Sequence, residues 1–304
     1  MSEPIRISVV IPCHNGEAFL KQALDSVLAQ TFPAAEIVVV DDGSTDGTPA
    51  VGRAYVDSHG EGSPTVIRYI RQEKSGVSTA RNTAIREARY EWIAFLDADD
   101  WWKPEKLARQ AAVLQSEPQP DLVYTPLHFF FPDGSSEEST GCPPDRMWPA
   151  LRCGNLITPS SVVLRRRLFL EAGGFDLRIH GSEDWELWVR LILQKKMRLG
   201  WVPEALTCYR ETNVNSSKRV DGMLEADLLS LPTMVSDLHG LKAFCWRQRI
   251  RSAILFRAAM NARGARDSRE LSFLLRSVAC WPLPTFRPVR FTALFRTLLN
   301  RARN

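Results

Sequence analysis

The chain has no Gly-x-Gly-x-x-Gly after its first apolar run and no Gly-x-x-x-x-Gly-Lys-Ser/Thr anywhere. Both absences argue against a dinucleotide fingerprint or a P-loop as the phosphate cradle. No apolar run reaches the ~18–20 residues that a membrane span needs. The six cysteines, Cys13, Cys142, Cys153, Cys208, Cys245 and Cys280, are scattered and form no Cys-x-x-Cys pair. That usage fits a cytosolic protein with free thiols. Met1–Arg6 is polar and strand-like sequence follows at once, so no signal peptide is read there. An excess of either sign of charge is missing as well. A net +4 over 304 residues does not by itself point to nucleic acid. The remaining totals, 44% hydrophobic and 24% charged, are ordinary for a globular protein of one large or two smaller domains.

What is present is alternation. Ile7–Ile11 reads as a buried strand ended by Pro12, and Asn15 as the cap of the helix after it. Phe19, Leu20, Ala23, Leu24, Val27 and Leu28 recur at helical spacing. Ile37–Val40 is a second strand. Thr48 and Pro49 open a second helix as cap and first residue. Val66–Ile70, Ser78–Arg89, Ile93–Leu96 and Pro104–Ser116 continue as strand, helix, strand, helix. This order predicts an α/β fold with a mostly parallel sheet covered on both faces. Ligands of such sheets bind beyond the carboxyl ends of the strands.

Carboxylates stand at those ends. Asp41 and Asp42 follow the second strand; Asp97, Asp99 and Asp100 follow the fourth. Several negative charges at the end of a buried strand repel one another and lose solvation, so a cation or a dense set of donors must offset them. Oxygen-only ligands suit Mg²⁺ or Mn²⁺, which also hold substrate phosphates. Asp41 or Asp42 can instead accept hydrogen bonds from a base or a ribose. The plainer alternatives are an Asx-rich turn capping a helix at Asp41–Thr48, and a polar turn before a Pro-started helix at Pro104. Arg81, on the first turns of its helix, can meet phosphate oxygens or pair with Asp97 or Asp42.

Four motifs in order carry a resemblance. They are Val9-Val10-Ile11-Pro12-Cys13-His14-Asn15, Val38-Val39-Val40-Asp41-Asp42-Gly43-Ser44-Thr45-Asp46-Gly47-Thr48, Ala80-Arg81-Asn82 and Asp97-Ala98-Asp99-Asp100. Together they resemble family 2 glycosyltransferases of the GT-A fold, over about Ile5 to Arg210. The resemblance implies a nucleotide-sugar donor, most often UDP-linked, and inversion at the transferred sugar. It implies that Asp42 contacts the base, that Asp97 and Asp99 hold ribose and metal with Asp99 in direct metal contact, and that Pro12, Asn15, Asp41, Arg81 and Ala98 line the donor. His14 departs from the family, which often carries Tyr there.

Downstream, Leu122–Thr125, Phe129–Phe131 and Ile157–Leu164 read as strands, with a hairpin turn at Pro132–Ser135. Ser135–Asp145 reads as a mobile surface loop. After the Gly173-Gly174-Phe175-Asp176 turn, Ser182 is placed to cap a helix carrying Trp185, Trp188, Val189 and Ile192 on one stripe. Glu183 and Asp184 then sit at its N-terminus, where the helix dipole favours their ionised forms. The family's Glu-Asp motif maps here: Asp184 is implied as the catalytic base, with Glu183 orienting it or the acceptor. Asp176 and His180 are further candidates near the acceptor or metal. Trp201–Arg210 reads as the last strand, and Asn213–Lys218 as a loop able to order over the donor.

Domains are expected at 1–220, a catalytic unit with a nucleotide half over about 1–120 and an acceptor half over about 121–220, and at 221–304, a helical region. Helices are expected at Met223–Leu238, Leu241–Arg263, Ser268–Val278 and Phe291–Arg303. The last has an apolar face flanked by arginines and no acids. It suits an anionic membrane surface, a second copy of the chain, or the catalytic domain. The acceptor is expected to be a carbohydrate or a lipid-linked hydroxyl, in cell-surface polysaccharide or glycolipid synthesis, with the protein cytoplasmic or peripheral on the inner membrane face. The rival readings are a nucleotidyltransferase, which would need a basic glycine-rich loop where Pro12–Glu17 stands, and an inactive sugar-nucleotide binder.

Overall fold

The computed structural model describes residues 4–212, 220–283 and 289–303, with side chains at all of these except 289, 290 and 299–303. The expected Asn213–Lys218 loop lies outside them. Contacts divide the chain into two compact units. One comprises Met1–Met147, Ile157–Leu177 and Lys195–Thr212; the other comprises Trp148–Leu156, Arg178–Gln194 and Asn213–Asn304.

The elements run in chain order as β1 Ile7–Cys13, α1 Leu20–Leu28, β2 Glu36–Asp42, α2 Thr48–Ser58, β3 Val66–Gln72, α3 Val77–Glu87, β4 Trp92–Phe95, β5 Trp101–Trp102 and α4 Lys106–Leu114. Then come β6 Leu122–Tyr124, β7 Leu127–Phe130, β8 Ser136–Glu138, α5 Pro144–Leu151, β9 Val162–Arg165, α6 Arg166–Glu171, α7 Glu183–Val189, β10 Leu199–Trp201 and β11 Thr207–Arg210. The chain continues in α8 Val220–Val235, α9 Gly240–Gly264, α10 Glu270–Cys280 and α11 Val289–Arg303.

In the first unit the sheet order is β10-β6-β9-β4-β1-β2-β3. β1, β2, β3 and β4 are mutually parallel, as the alternation predicted. β9 runs antiparallel to both β4 and β6. Its reversal matters: the turn that precedes β9 arrives at the same edge as the carboxyl ends of β1 to β4. A second sheet, β5-β11-β7-β8, lies in the same unit.

The core explains the layering. Ile7, Val9, Ile11, Ile37 and Val39 point to one face, where Leu20, Ala23, Leu24 and Val27 of α1 and Leu107 and Leu114 of α4 cover them. Phe95 points the other way and meets Phe169 and Phe175. On that side α3 packs over β1 and β2, and its buried Ala80 and Ala84 keep the approach close.

Several local expectations are corrected. Pro12 does not end β1; it pairs in register with Val40. The Val10 carbonyl accepts from Leu96 N–H, so the even positions of β1 face β4. β4 partners β1 only as far as Val10, so the missing N–H of Pro12 deprives no ladder. Asn15 does not cap α1, which starts five residues later; it takes a left-handed φ of 51° and binds the neighbouring loop. Ser135–Asp145 is not all loop, because Ser136–Glu138 pairs with β7 as a hairpin strand. Trp201–Arg210 is two strands in two sheets, with Val202–Leu206 crossing between them.

The second unit holds α7 and the C-terminal helices. Its core joins Leu255, Ala258, Ala259 and Ala262 of α9 to Phe273 and Leu274 of α10 and Ala293 of α11. α11 turns Ala293 and Thr297 inward and leaves Phe295, Arg296 and Leu298 exposed. Among the described residues no helix is long and apolar enough to cross a membrane.

Candidate active site

The loop after β1 is laced to the loop after β2. Asn15 N–H donates to Ser44 Oγ at 2.9 Å, Gly16 N–H to Thr48 Oγ1 at 2.8 Å, and Glu17 N–H to Asp46 Oδ2 at 3.1 Å. In return Thr45 N–H donates to Asn15 Oδ1 and Gly47 N–H to Glu17 Oε2, each at 2.8 Å. Thr48 is not the cap of α2 but its first residue, with Gly47 at the cap position. Asp46 accepts Thr48 N–H at 3.0 Å and the Thr48 hydroxyl at 2.6 Å. Gly43 turns the chain with φ +71°, and a Cβ there would lie 2.9 Å from Lys74 N.

The two acids of this loop do different work. Asp41 is fully buried and accepts from Ser44 N–H at 2.8 Å and from the Tyr69 hydroxyl. Burial, then this bond, pushes the Tyr69 phenol well up. Asp42 accepts from Gln72 Nε2 at 2.7 Å and from Ser75 N–H and Gly76 N–H at 2.8 Å each. It therefore pins the loop that follows β3. A carboxylate offers about four lone-pair sites, so three donors leave about one for a ligand. Both loops rest against Cys13, whose thiol is pushed up to about 12 by burial and the Asp41 charge.

The Asp97–Asp100 turn closes with Asp100 N–H on the Asp97 carbonyl at 3.0 Å. Each acid meets a different fate. Arg81 Nη2 donates to both oxygens of Asp97, at 2.7 and 2.9 Å, so Arg81 pairs with Asp97. Asp100 is buried and bound by Ser160 Oγ at 2.6 Å and Arg210 N–H at 3.0 Å. Its carboxyl is raised well above the ordinary range by burial, then by Asp99 and Asp97. Asp99 is pushed up to about 6 by burial and the Asp97 charge, against the pull of Arg210 and Arg81. Ala98 sits between them, half-buried, near Gly16 of the first loop, where an added Cβ would lie 3.7 Å from the Ala98 Cβ.

Sequence reasoning gave no role to Ser160 or Arg210. Ser160 Oγ also accepts Asp97 N–H at 3.1 Å, so one hydroxyl bridges both ends of the turn. Arg210 Nε donates to the Asp99 carbonyl at 3.0 Å and Nη2 to Gln22 at 2.6 Å, while the guanidinium stacks 4.7 Å from the Trp101 ring. Asn82, the third letter of Ala-Arg-Asn, holds the Gly-Gly-Phe-Asp turn instead. Its Nδ2 donates to the Phe175 carbonyl at 3.0 Å and its Oδ1 accepts Phe175 N–H at 2.9 Å.

A divalent cation fits this donor set in a limited sense. Among the described residues, no three acid, histidine or cysteine side chains converge as a metal cage. Asp99 offers a hard oxygen with no side-chain donor bonded to it among those residues, and Asp97 stands beside it. Mg²⁺ and similar ions are held by one or two carboxylates plus phosphate oxygens and water, which such a site can satisfy.

The Glu183–Asp184 pair belongs to the second unit. Ser182 does not cap α7; its hydroxyl donates to Asp227, which is also paired with Arg257. Glu183 folds back to accept Gly181 N–H at 2.8 Å. Asp184 accepts from Trp185 N–H at 2.8 Å and from Asn155 Nδ2 at 2.7 Å. Asp176 is half-buried and His180 is exposed.

The family model described as glycosyl transferase family 2 matches residues 8–165, more than half of the chain. The chain belongs to glycosyl transferase family 2. A second model, glycosyltransferase like family 2, matches residues 154–223. An uncharacterised glycosyltransferase of Rickettsia felis is 30% identical over 197 residues, 61% of this chain and 31% of that protein. Another, of Rickettsia typhi, is 30% identical over 198 residues, 61% of this chain and 58% of that one. The matches thus span about a third to three fifths of these relatives. Among solved structures, S. aureus TarS 1–349 in complex with UDP-GlcNAc superposes with a TM-score of 0.66 at 19% identity, over 91% of this chain and 81% of that one. The mannosyltransferase PcManGT of Pyrobaculum calidifontis, in complex with GDP-Man and Mn²⁺, gives 0.63 at 20% identity, over 98% and 81%. These likenesses establish the GT-A fold of this family 2 member.

Proposed function

We propose that the protein transfers a sugar from a nucleotide-sugar donor, UDP-linked, to a hydroxyl acceptor with inversion. The observation that carries the donor half is the Asp97–Asp100 turn. It holds three acids at the carboxyl edge of a parallel sheet, two of them neutralised or bound by the chain and Asp99 with no side-chain donor bonded to it among the described residues. Family membership supports the transfer chemistry, and the complexes of the fold's neighbours with UDP-GlcNAc and GDP-Man support the donor class.

In this reading Asp99, with Asp97 beside it, holds Mg²⁺ or Mn²⁺. Bound there, the metal supplies Lewis-acid stabilisation of the charge gathering on the leaving diphosphate. The chain does the rest. Asp42 takes a base N–H with its remaining lone pair and fixes the loop that borders it. Arg81 and Ser160 keep the Asp97–Asp100 backbone in one shape. Asp184 receives the acceptor hydroxyl's proton as that oxygen attacks the anomeric carbon. No covalent enzyme intermediate is needed, because attack comes from the face opposite the leaving group. The acceptor class we assign is a carbohydrate or lipid-linked hydroxyl of surface polysaccharide or glycolipid synthesis. The exposed Phe295, Arg296 and Leu298 of α11 support contact with an anionic membrane.

Two variants and one titration test the reading. Calorimetry with UDP and Mn²⁺ should show binding that Asp99→Asn abolishes and Asp184→Asn keeps. Turnover of a nucleotide-sugar panel should vanish in Asp184→Asn. Wild-type turnover in that variant removes the base assignment, and metal-independent UDP binding removes the Asp99 assignment.

A further inference from the structure

We infer that Asn155 is the positioning residue for Asp184, an inference that rests on Asp184 being the base. Asn155 Nδ2 donates to Asp184 Oδ2 at 2.7 Å, and Trp185 N–H donates to Oδ1 at 2.8 Å. Each carboxylate oxygen thus carries at least one N–H of the chain. Rotation of the carboxyl group about its last bond would break both contacts, so the plane of the group is set.

The segment that presents Asn155 is itself held. Trp185 Nε1 donates to the Leu151 carbonyl at 2.6 Å. Arg152, only 1% exposed, donates through Nη1 to the Met234 carbonyl and through Nη2 to Asp237 Oδ2 at 2.6 Å. Asn155 follows three residues after an anchor on α8 and four after an anchor on α7. A side chain on so short a tether keeps its amide in place while the acceptor comes and goes.

The choice of an amide has a chemical reason. A hydrogen bond to the ionised form favours that form, so Asn155 helps Asp184 stay ready to accept a proton. An arginine here would orient the group too, but its full charge would weaken the base much more. The neutral donor orients the group at a smaller loss of basicity than a full charge would impose.

The test needs no identified acceptor. Full-length protein carrying carboxyl-¹³C aspartate is titrated by NMR, and the Asp184 signal is assigned by its loss in Asp184→Asn. In Asn155→Leu the Asp184 midpoint should rise by about one unit, the shift expected when a donor to the charged form is removed. Asn155→Ala gives the same readout should the leucine variant fail to fold. In release of UDP from UDP-GlcNAc, with water as acceptor, kcat should fall about tenfold or more while the donor KM holds. The acidic limb of the rate profile should move by the NMR shift, and Asn155→Leu should add no loss to Asp184→Asn. An unmoved Asp184 midpoint in a folded Asn155 variant overturns the inference. Full turnover in Asp184→Asn with a moved midpoint overturns the base reading instead and leaves the contact standing.

Discussion

Arg81→Met separates charge from packing beside the Asp97–Asp100 turn. The guanidinium is nearly buried and sits 2.7 Å from an Asp97 oxygen. Methionine keeps the aliphatic reach beneath the Phe175 ring, 5.3 Å from the guanidinium carbon, and loses the charge. Removing one partner of a buried ion pair costs about 3–5 kcal/mol. The Asp97 side chain is 23% exposed, so water screens it and the lower end applies, about 3 kcal/mol. For a unit of this size that is a melting-temperature loss of about 6–12 °C. The loss should depend on pH. Burial and the Asp97 charge already push Asp99 up to about 6, and Arg81 is one of the two cations holding it down, so the variant raises it further. A carboxyl whose folded midpoint lies above its unfolded value gives stability that is fully present below that unfolded value and is lost as pH rises through the folded midpoint. The deficit of Arg81→Met should therefore be smaller near pH 4, where Asp99 is protonated in both proteins, than above pH ~7. Millimolar Mn²⁺ with UDP should restore part of it, since the added cation replaces the missing charge. Thermal melts at a series of pH values read all three effects. An equal loss at acid and neutral pH would show that Arg81 acts by packing alone.

Further predictions concern the site's surroundings. Mn²⁺-dependent UDP binding should weaken as pH falls through about 6, because Asp99 must be ionised to ligate; equal calorimetric affinity at acid and neutral pH counts against its role. Lys106 is 0% exposed, bonded to Gln110 Oε1 at 2.8 Å and stacked 3.9 Å from the Trp102 ring, with no carboxylate paired to it among the described residues. Burial pulls its amine well down, so wild-type stability should gain on Lys106→Met as pH rises toward about pH 10, by up to about 1.4 kcal/mol per unit. Urea unfolding of both proteins measures this, and a constant difference refutes it. Asn82→Ala strips both backbone groups of Phe175 of their partners and should cost about 2–4 kcal/mol; a loss under about 1 kcal/mol would mean the Gly-Gly-Phe-Asp turn is held by other contacts.

Much of this molecule is written locally. Runs such as Val38–Val40 and Ile93–Leu96 can only be buried strands, and the alternation with amphipathic helices leaves few ways to build a sheet other than in parallel. The acids that follow those runs had to fall at one edge. For that reason Asp41, Asp42, Asp97 and Asp99 could be singled out from spacing, and the Glu183–Asp184 pair only from resemblance. Local capping was harder, because Asn15, Thr48 and Ser182 are each good caps in isolation. Tertiary partners outbid the helix ends for them: the Ser44–Thr45 loop, Asp46 with the Gly16 amide, and Asp227.

Sequence by itself determined the strand ends and the carboxylates on them, because hydrophobic period and burial are properties of neighbouring residues. The division of labour among those carboxylates came only with the fold. Arg81 could reach Asp97 or Asp42 by spacing; α3 packed over β1 and β2 gives it Asp97. Ser160 joins the site because β9 runs backwards, and Arg210 because the chain crosses into a second sheet. Neither reversal leaves a mark in residue order. Hydrogen bonds form by position in space, and residues as far apart as Gln22 and Arg210 meet only after the chain has closed on itself.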